Sequence, residues 1–313
     1  MEEYDFLVVG SGSGLDVANA VVNRNQSVAV VEKGPLGGTC LNRGCIPSKM
    51  RLYHADVMET VERADEFGID AEIRDVAFAD IVREANADVD EDSDSIRRGL
   101  RSSDRHDLYK GEGRFVDDRT VGVVDGNDEG ARLHAETVLI AAGTRPAVPD
   151  IDGIDAVEYL TSTEALRLET PPDHLVVVGG GYIAAELGHF FGTFGSDVTI
   201  VGRRPHLLPE ADEEVGRAFT NRYADRFTVR AGHEATAVSE SDGTVTVETR
   251  PYPPAFDGEP DEEGVSMTGE GLLLAAGRVP NTDILDVAAA GVETDGRGFV
   301  ETDGYLRTSA EGV

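Results

Sequence analysis

The sequence of 313 residues predicts an α/β protein of two similar units, and three observations carry that expectation. An apolar run, DFLVV, leads into GSGSGLDVANAVV (Gly10 to Val22) and then into VAVVEKG, which carries the acid Glu32. Leu175 to Val178 leads likewise into GGGYIAAELGHFFGTFG, with Gly179, Gly181 and Ala184 at fingerprint spacing. Each half later ends an apolar run in Ala-Ala-Gly, in TVLIAAGTRP (Thr137 to Pro146) and LLLAAGRVPNTD (Leu272 to Asp283). A strand, a glycine-rich turn and a helix together bring backbone N–H groups and a helix N-terminus against a pyrophosphate.

Tyr4 to Val9 reads as a buried strand. Gly10 and Gly12 permit the tight turn and the close approach of a phosphate. The third fingerprint position holds Leu15, with Gly14 adjacent, so helix and strand are expected to pack slightly apart or to shift. Glu32 ends the next strand, about 20 residues on, where an acid meets a ribose hydroxyl.

GGTCLNRGCIPSK, Gly37 to Lys49, holds both cysteines, Cys40 and Cys45. A disulfide needs Cα atoms about 4.4–6.8 Å apart, whereas residues i and i+5 of a regular helix lie roughly 8–9 Å apart. A bridge therefore requires a distorted turn, which Gly44 permits and Pro47 tolerates at a helix start. Two thiols beside a dinucleotide site suggest electrons moving between a cofactor and a disulfide. A structural staple is one alternative, although so short a loop stabilises by only about 2 kcal/mol. A zinc pair is the other, although no second Cys pair or nearby His completes a ligand set, and no metal site is expected.

Met50 to Glu66 reads as a helix with Leu52, Ala55, Val57, Met58 and Val61 on its apolar side. A second helical pattern, Phe78 to Ser102, is expected to be interrupted by the acidic run Asp88 to Asp94, a solvated face or loop. Arg114 to Val116, Thr120 to Val124 and Thr137 to Ala141 read as short strands, with a turn at Asp125 to Asp128. A second unit begins near Ile151. Its strand DVTIVGRRP presents Gly202, Arg203 and Arg204 where an NAD site would present an acid. The arginines suit a 2′-phosphate, so NADPH is expected over NADH. Asp212 to Tyr223 reads as helix, Phe227 to Arg230 and Thr244 to Thr249 as strands, and Arg250 to Gly264 as an exposed loop.

Asp and Glu number 60 against 28 Lys and Arg, a net charge of −32. Such a surface argues against nucleic acid or anionic lipid as a partner and is expected of proteins that work in molar salt. Only three lysines occur, Lys33, Lys49 and Lys110, and the first two flank the thiol motif. No apolar run reaches the roughly 18 residues that span a bilayer. The N-terminus lacks the features of a signal peptide, so a cytoplasmic location is expected.

GGTCLNRGCIPSK, AAGTRP, GGGYIAAELG and AAGRVPNTD, in this order, make the chain resemble the FAD-dependent pyridine nucleotide–disulfide oxidoreductases. These include dihydrolipoyl dehydrogenase, glutathione reductase, mycothione reductase and mercuric reductase. The resemblance implies two Rossmann-like three-layer domains: residues 1–150 for FAD, residues 151–275 for NAD(P)H, and residues 276–313 returning to the FAD domain. It implies that Cys45 lies next to the flavin and that Cys40 attacks the substrate disulfide. Lys49 and Glu186 would pair beside the flavin ring, and Tyr182 would be the gate for nicotinamide. Gly10, Gly12, Gly14 and Glu32 would hold FAD; Gly179, Gly181, Ala184, Arg203 and Arg204 would hold NADPH. Lys33, Gly38, Thr39, Lys49, Ala142, Gly143, Glu186 and Gly277 would make further cofactor contacts.

The implied activity passes electrons from NAD(P)H through FAD and Cys40–Cys45 to a small disulfide, mycothione-like or bis-γ-glutamylcystine-like, in cell redox homeostasis. The alternatives are an NAD-dependent dihydrolipoyl dehydrogenase of a 2-oxoacid complex and a nucleotide-binding module without turnover. The family continues beyond TSAEGV into an FAD-binding GD motif, a dimerisation domain and a His–Glu acid–base pair. A fragment of a homodimeric protein is therefore expected.

Overall fold

The computed structural model describes residues 1–253 and 264–313. Most of the stretch read as an exposed loop, residues 254–263, lies outside the described residues. In chain order the elements begin with β1 (Glu2–Val9), α1 (Gly14–Val22), β2 (Val28–Glu32), α2 (Gly38–Arg43), α3 (Cys45–Glu62) and α4 (Phe78–Arg101). β3 (His106–Asp117), β4 (Thr120–Gly126), β5 (Arg132–Ile140), β6 (Thr144–Pro146), α5 (Ser162–Ala165), β7 (His174–Val178) and α6 (Tyr182–Thr193) follow. Then come β8 (Asp197–Gly202), α7 (Glu213–Ala224), β9 (Thr228–Ala231), β10 (His233–Ser241), β11 (Thr244–Pro251), β12 (Ser266–Gly269), β13 (Gly271–Leu274), β14 (Arg278–Pro280) and α8 (Thr282–Leu285).

Two compact units form, Met1–Ile46 with Ala87–Arg145 and Arg278–Val313, and Pro47–Asn86 with Pro146–Gly277. In the first, β5, β1, β2 and β3 run parallel in that order, with Val8 paired to Val30 on one side and Leu139 on the other. β3, β4 and β5 then pair antiparallel and close the sheet into a barrel. Successive strand residues point to opposite faces. Leu7, Val9, Ala29 and Val31 pack with Phe115, Val121 and Leu133, while Val8, Val28 and Val30 pack with Leu15, Ala18 and Val21 of α1. Burial on both faces is why these strands read as unbroken apolar runs. The last segment returns to this core through Leu285, Val287, Ala290 and Val292. It is tied there by Arg145, whose Nη1 and Nη2 donate to Asp283 Oδ1 and Oδ2 at 2.9 and 2.7 Å.

The second unit repeats the plan. β13, β7, β8 and β9 run parallel in that order, and β10, β11 and β12 form an antiparallel sheet. In both units the fingerprint strand, β1 or β7, lies between its successor and the strand that ends in Ala-Ala-Gly. α6 buries Ala184, Leu187, Phe190 and Phe191 in a cluster that also holds Ala55, Phe78 and Val82. That shared cluster draws residues 47–86 into the second unit, so the compact units are cut differently from the linear division at residue 150.

Two local expectations change, and the packing of α1 takes the shifted of its two expected forms. α4 is one uninterrupted helix, because Val82, Ala85, Val89 and Leu100 keep a buried stripe at helical spacing while the carboxylates of the acidic run project outward. Val57, placed on the apolar side of α3, is exposed. The close contact between α1 and its sheet has shifted by one residue from the fingerprint: a β-carbon at Gly14 would lie 2.6 Å from Val8 Cγ1. Leu15 is thereby left to fill the core instead of preventing the approach. Among the described residues no helix is long and apolar enough to cross a membrane.

Candidate functional site

In the first unit the dinucleotide turn is built on backbone closeness. Gly10 has φ +103°, and a β-carbon there would lie 2.3 Å from the Ala141 carbonyl oxygen. Gly179 repeats this in the second unit, with φ +134° and Ala275 O at 2.1 Å. Any other residue would push the turn away from the strand ending in Ala-Ala-Gly. Glu32 is oriented by three donors: Ser11 N at 2.9 Å and Ser11 Oγ at 2.7 Å to Oε2, and Gly34 N at 2.6 Å to Oε1. Each carboxylate oxygen keeps acceptor capacity for a ribose hydroxyl. Lys33 pairs with Glu112 at 3.0 Å, and the Lys110 ammonium, its pKa lowered by burial, donates to Gly34 O. The cradle and its oriented acid fit the adenosine and pyrophosphate part of a dinucleotide.

Cys40 and Cys45 form a disulfide with Cα atoms 5.1 Å apart. The distortion expected from the spacing is a break between two helices. Cys40 lies in α2, Gly44 leaves helical geometry at φ −133°, and Cys45 begins α3. A β-carbon at Gly44 would lie 2.7 Å from Thr39 O, so the break depends on glycine. The motif is held beside the dinucleotide turn. Gly37 N donates to Ser11 O at 3.1 Å, and a β-carbon at Gly38 would meet Gly12 Cα at 2.5 Å. Buried Asn42, which no sequence signal marked, ties α2 down by donating to Leu36 O and Gly38 O, both at 2.9 Å. Thr39, Ala142 and Gly143 lie in the same unit, in α2 and in the segment after β5.

In the second unit Lys49 and Glu186 form an ion pair. Tyr182, one helical turn before Glu186, is largely exposed. All three line a cavity of about 580 Å³ with Tyr53, Asp56, His189 and Tyr223. Two residues missed in the sequence support this wall from behind, without lining the cavity. Ser48 Oγ donates to the second Glu186 carboxylate oxygen. Arg51 is fully buried and donates to Pro47 O at 2.8 Å, Asn86 Oδ1 at 2.7 Å and Leu166 O, which fixes the first turns of α3. Tyr223 donates to Ala185 O at 2.8 Å, and burial pushes its phenol up to about 12. Gly181 caps the N-terminus of α6, and nothing fills the space beside it. Arg203 and Arg204 follow the end of β8, both exposed. Gly277 lies at the end of the unit, where its carbonyl accepts from Ala147 N at 2.9 Å.

A doubly repeated dinucleotide fold with a disulfide against one of its turns defines a class of protein, the disulfide oxidoreductases that use a nicotinamide nucleotide. Residues 4–313 match the family described as pyridine nucleotide-disulphide oxidoreductase, and the chain belongs to that family. It is 35% identical over 318 residues to mycothione reductase of Mycobacterium tuberculosis, covering all of this chain and 65% of that protein. It is 34% identical over 314 residues to dihydrolipoyl dehydrogenase 3 of Haloarcula marismortui, covering 99% of this chain and 64% of that one. Among solved structures, the Cu(II) complex of the HOCl-induced flavoprotein disulfide reductase RclA from Escherichia coli superposes with a TM-score of 0.84 at 25% identity, over all of this chain and 65% of that one. The chain thus spans just under two thirds of the length of these relatives.

Proposed function

We propose that the protein to which this chain belongs reduces a low-molecular-weight disulfide at the expense of NADPH, acting in the cytoplasm. The observation that carries this reading is the Cys40–Cys45 bridge across a helix break, tied by Gly37 and Gly38 to the dinucleotide turn. Gly10, Gly12, Gly14, Glu32, Gly38 and Thr39 would hold FAD, with Lys33, Ala142 and Gly143 contributing along the same cradle. When bound, FAD supplies the two-electron chemistry that links nicotinamide to the disulfide. Reduction of the bridge takes two electrons and leaves two thiols, Cys40 and Cys45. Cys40, exposed in α2, would attack the substrate disulfide as a thiolate, releasing one substrate thiol and forming a mixed disulfide. Cys45 would then attack the Cys40 sulfur, re-forming the bridge and releasing the second substrate thiol. Gly179, Gly181 and Ala184 would take the nucleotide pyrophosphate, and Lys49, Glu186 and Tyr182 would line the nicotinamide end. The likeness to mycothione reductase supports a small thiol disulfide as substrate, mycothione-like or bis-γ-glutamylcystine-like, and a homodimer is the proposed assembly.

A second reading, NAD-dependent dihydrolipoyl dehydrogenase, is favoured by the thiol motif and by the Haloarcula relative. The Gly202–Arg204 turn, without an acid, ranks it below the first.

The test is a half-reaction. Flavin-loaded protein is titrated with NADPH without oxygen, and free thiols are counted. Two new thiols per chain are expected in wild type and none in Cys40→Ser, whose Cys45 has no partner to bridge and is a thiol from the start; that variant should keep its flavin absorbance. Flavin bleaching with no new thiols in wild type would reject the assignment of the bridge.

A further inference from the structure

Arg203 and Arg204 stand in a chain with 60 acidic and 28 basic residues, where a carboxylate partner is easy to find. Yet among the described residues neither has an ion-pair partner. Arg203 instead has its guanidinium over the ring of Tyr252, 5.8 Å from the centroid. Tyr252 follows the end of β11, far along the chain, and two backbone hydrogen bonds tie it to the arginine turn. Tyr252 N donates to Gly232 O at 2.7 Å, and Gly232 N donates to Arg204 O at 2.8 Å.

The geometry has a chemical consequence. A guanidinium is planar and donates five N–H bonds in its own plane. A carboxylate partner would use that fork. An aromatic face beneath it uses none of the fork and still restricts where the side chain points. Arg203 is thus restrained with its donors unspent. It stands at the carboxyl end of β8, next to the fingerprint strand β7, where this fold meets the adenosine ribose.

We infer that Tyr252 is a positioning residue for nucleotide choice. It holds Arg203 for a phosphomonoester on the adenosine 2′-oxygen, the group that separates NADPH from NADH. This rests on the reading of the Gly202–Arg204 turn given above. It adds a residue from just beyond β11 that no fingerprint includes.

The test needs neither flavin nor turnover. Binding of 2′,5′-ADP and 5′-AMP is measured calorimetrically at matched ionic strength for wild type, Tyr252→Phe, Tyr252→Leu and Tyr252→Gln. Wild type should favour 2′,5′-ADP by about tenfold or more, from one to two charge-assisted contacts. Tyr252→Phe keeps the ring and should match wild type. Tyr252→Leu and Tyr252→Gln should each weaken 2′,5′-ADP about three- to fivefold, the usual size of an exposed cation–π contact, and leave 5′-AMP unchanged. If wild type binds both ligands equally, the NADPH reading fails. If wild type discriminates and the non-aromatic variants do so equally well, Tyr252 has no positioning role. Equal weakening toward both ligands would also overturn the inference, because a merely structural role moves both.

Discussion

Lys49 and Glu186, 137 residues apart in sequence, form an ion pair on the wall of the cavity in the second unit. The carboxylate is held twice, because Ser48 donates to its other oxygen. Ser48 is buried, whereas the Lys49 side chain is 62% exposed and that of Glu186 26%. So exposed a pair contributes only about 0.2–1 kcal/mol to stability, which points to orientation as its main effect. Glu186→Gln should leave the melting temperature nearly unchanged and slow NADPH-driven appearance of thiols by about 100-fold or more, the usual effect of a displaced charge at a reacting centre. Ser48→Ala should slow it by about tenfold, since a neutral hydrogen bond is worth about 1 kcal/mol. Stopped-flow thiol release decides, and wild-type rates in both variants would detach the triad from catalysis.

Arg51 is a stability prediction. It is a buried cation whose described hydrogen-bond partners are two backbone carbonyls and one side-chain amide, none of them a carboxylate. Burial first, then the charge of Arg167, bring its pKa down to about 10. The fold therefore bears the full cost of the buried charge at all pH values below that point. The cost is tolerated because the guanidinium satisfies carbonyls that would otherwise be buried without a partner. Arg51→Ala should destabilise the protein by about 3 kcal/mol or more, through lost packing and orphaned carbonyls. Urea unfolding measures this, and a change under about 1 kcal/mol would show that water replaces the guanidinium.

How much of this was legible in the sequence depended on the range of the signal. Both dinucleotide turns and the cysteine motif are local, so their glycines and strand lengths sufficed to place β1, β2, β7, β8, α1 and α6. The start of β3 at His106 was missed because His-Asp-Leu-Tyr-Lys carries mixed polarity, and its burial comes only from neighbours far along the chain. β10 and β12 were missed for the same reason: Ser, Thr and Glu alternate through an antiparallel sheet with one wet face. The continuity of α4 was hidden because a run of carboxylates looks like a loop until the stripe beneath it is counted. Ser48, Arg51 and Tyr252 act through partners many residues away, and no single-sequence pattern marks such a pairing.

Alkaline stability follows from three phenols. Tyr109 is pushed up to about 12 by burial and its bond to Glu2, Tyr4 is raised by burial and by its bonds to Tyr109 and Asp107, and Tyr223 is raised to about 12 by burial. The fold thus favours the protonated phenol. That contribution is fully present below the unfolded tyrosine value of about 10 and is lost as pH rises toward the folded value. Arg51 and Lys110 oppose this, since burial lowers their folded pKa values and deprotonation relieves the fold in the same range. Three groups against two give a net fall in stability above about pH 10. Tyr223→Phe should cost about 1 kcal/mol near neutrality, for the lost bond to Ala185 O, and should make the alkaline fall shallower. Urea midpoints near neutrality and at about pH 11 test it; an unchanged alkaline slope would mean that Tyr223 ionises without unfolding the protein.

Salt should matter more than any single residue. The chain carries −32, and many of its arginines are already engaged in surface pairs such as Arg83 with Glu169 and Arg217 with Glu213. What remains is a broad excess of carboxylates, including the run on the exposed side of α4. Their mutual repulsion acts over about 10 Å at 0.1 M salt and over about 3 Å at 1 M. Compacting the chain brings these charges together, so the repulsion weighs on the folded state more than on the unfolded one. Screening should therefore raise stability, even though it also weakens the surface pairs, because those contribute little individually. The melting temperature should rise on the order of 10 °C between dilute buffer and molar KCl, taking about 2–4 °C per kcal/mol for a chain of this size. The same series in NaCl and in KCl separates screening, which treats the two alike, from specific ion binding. A flat profile in both salts would mean that the favourable ion pairs balance the excess charge, and the acidic surface would then carry no adaptation to salt.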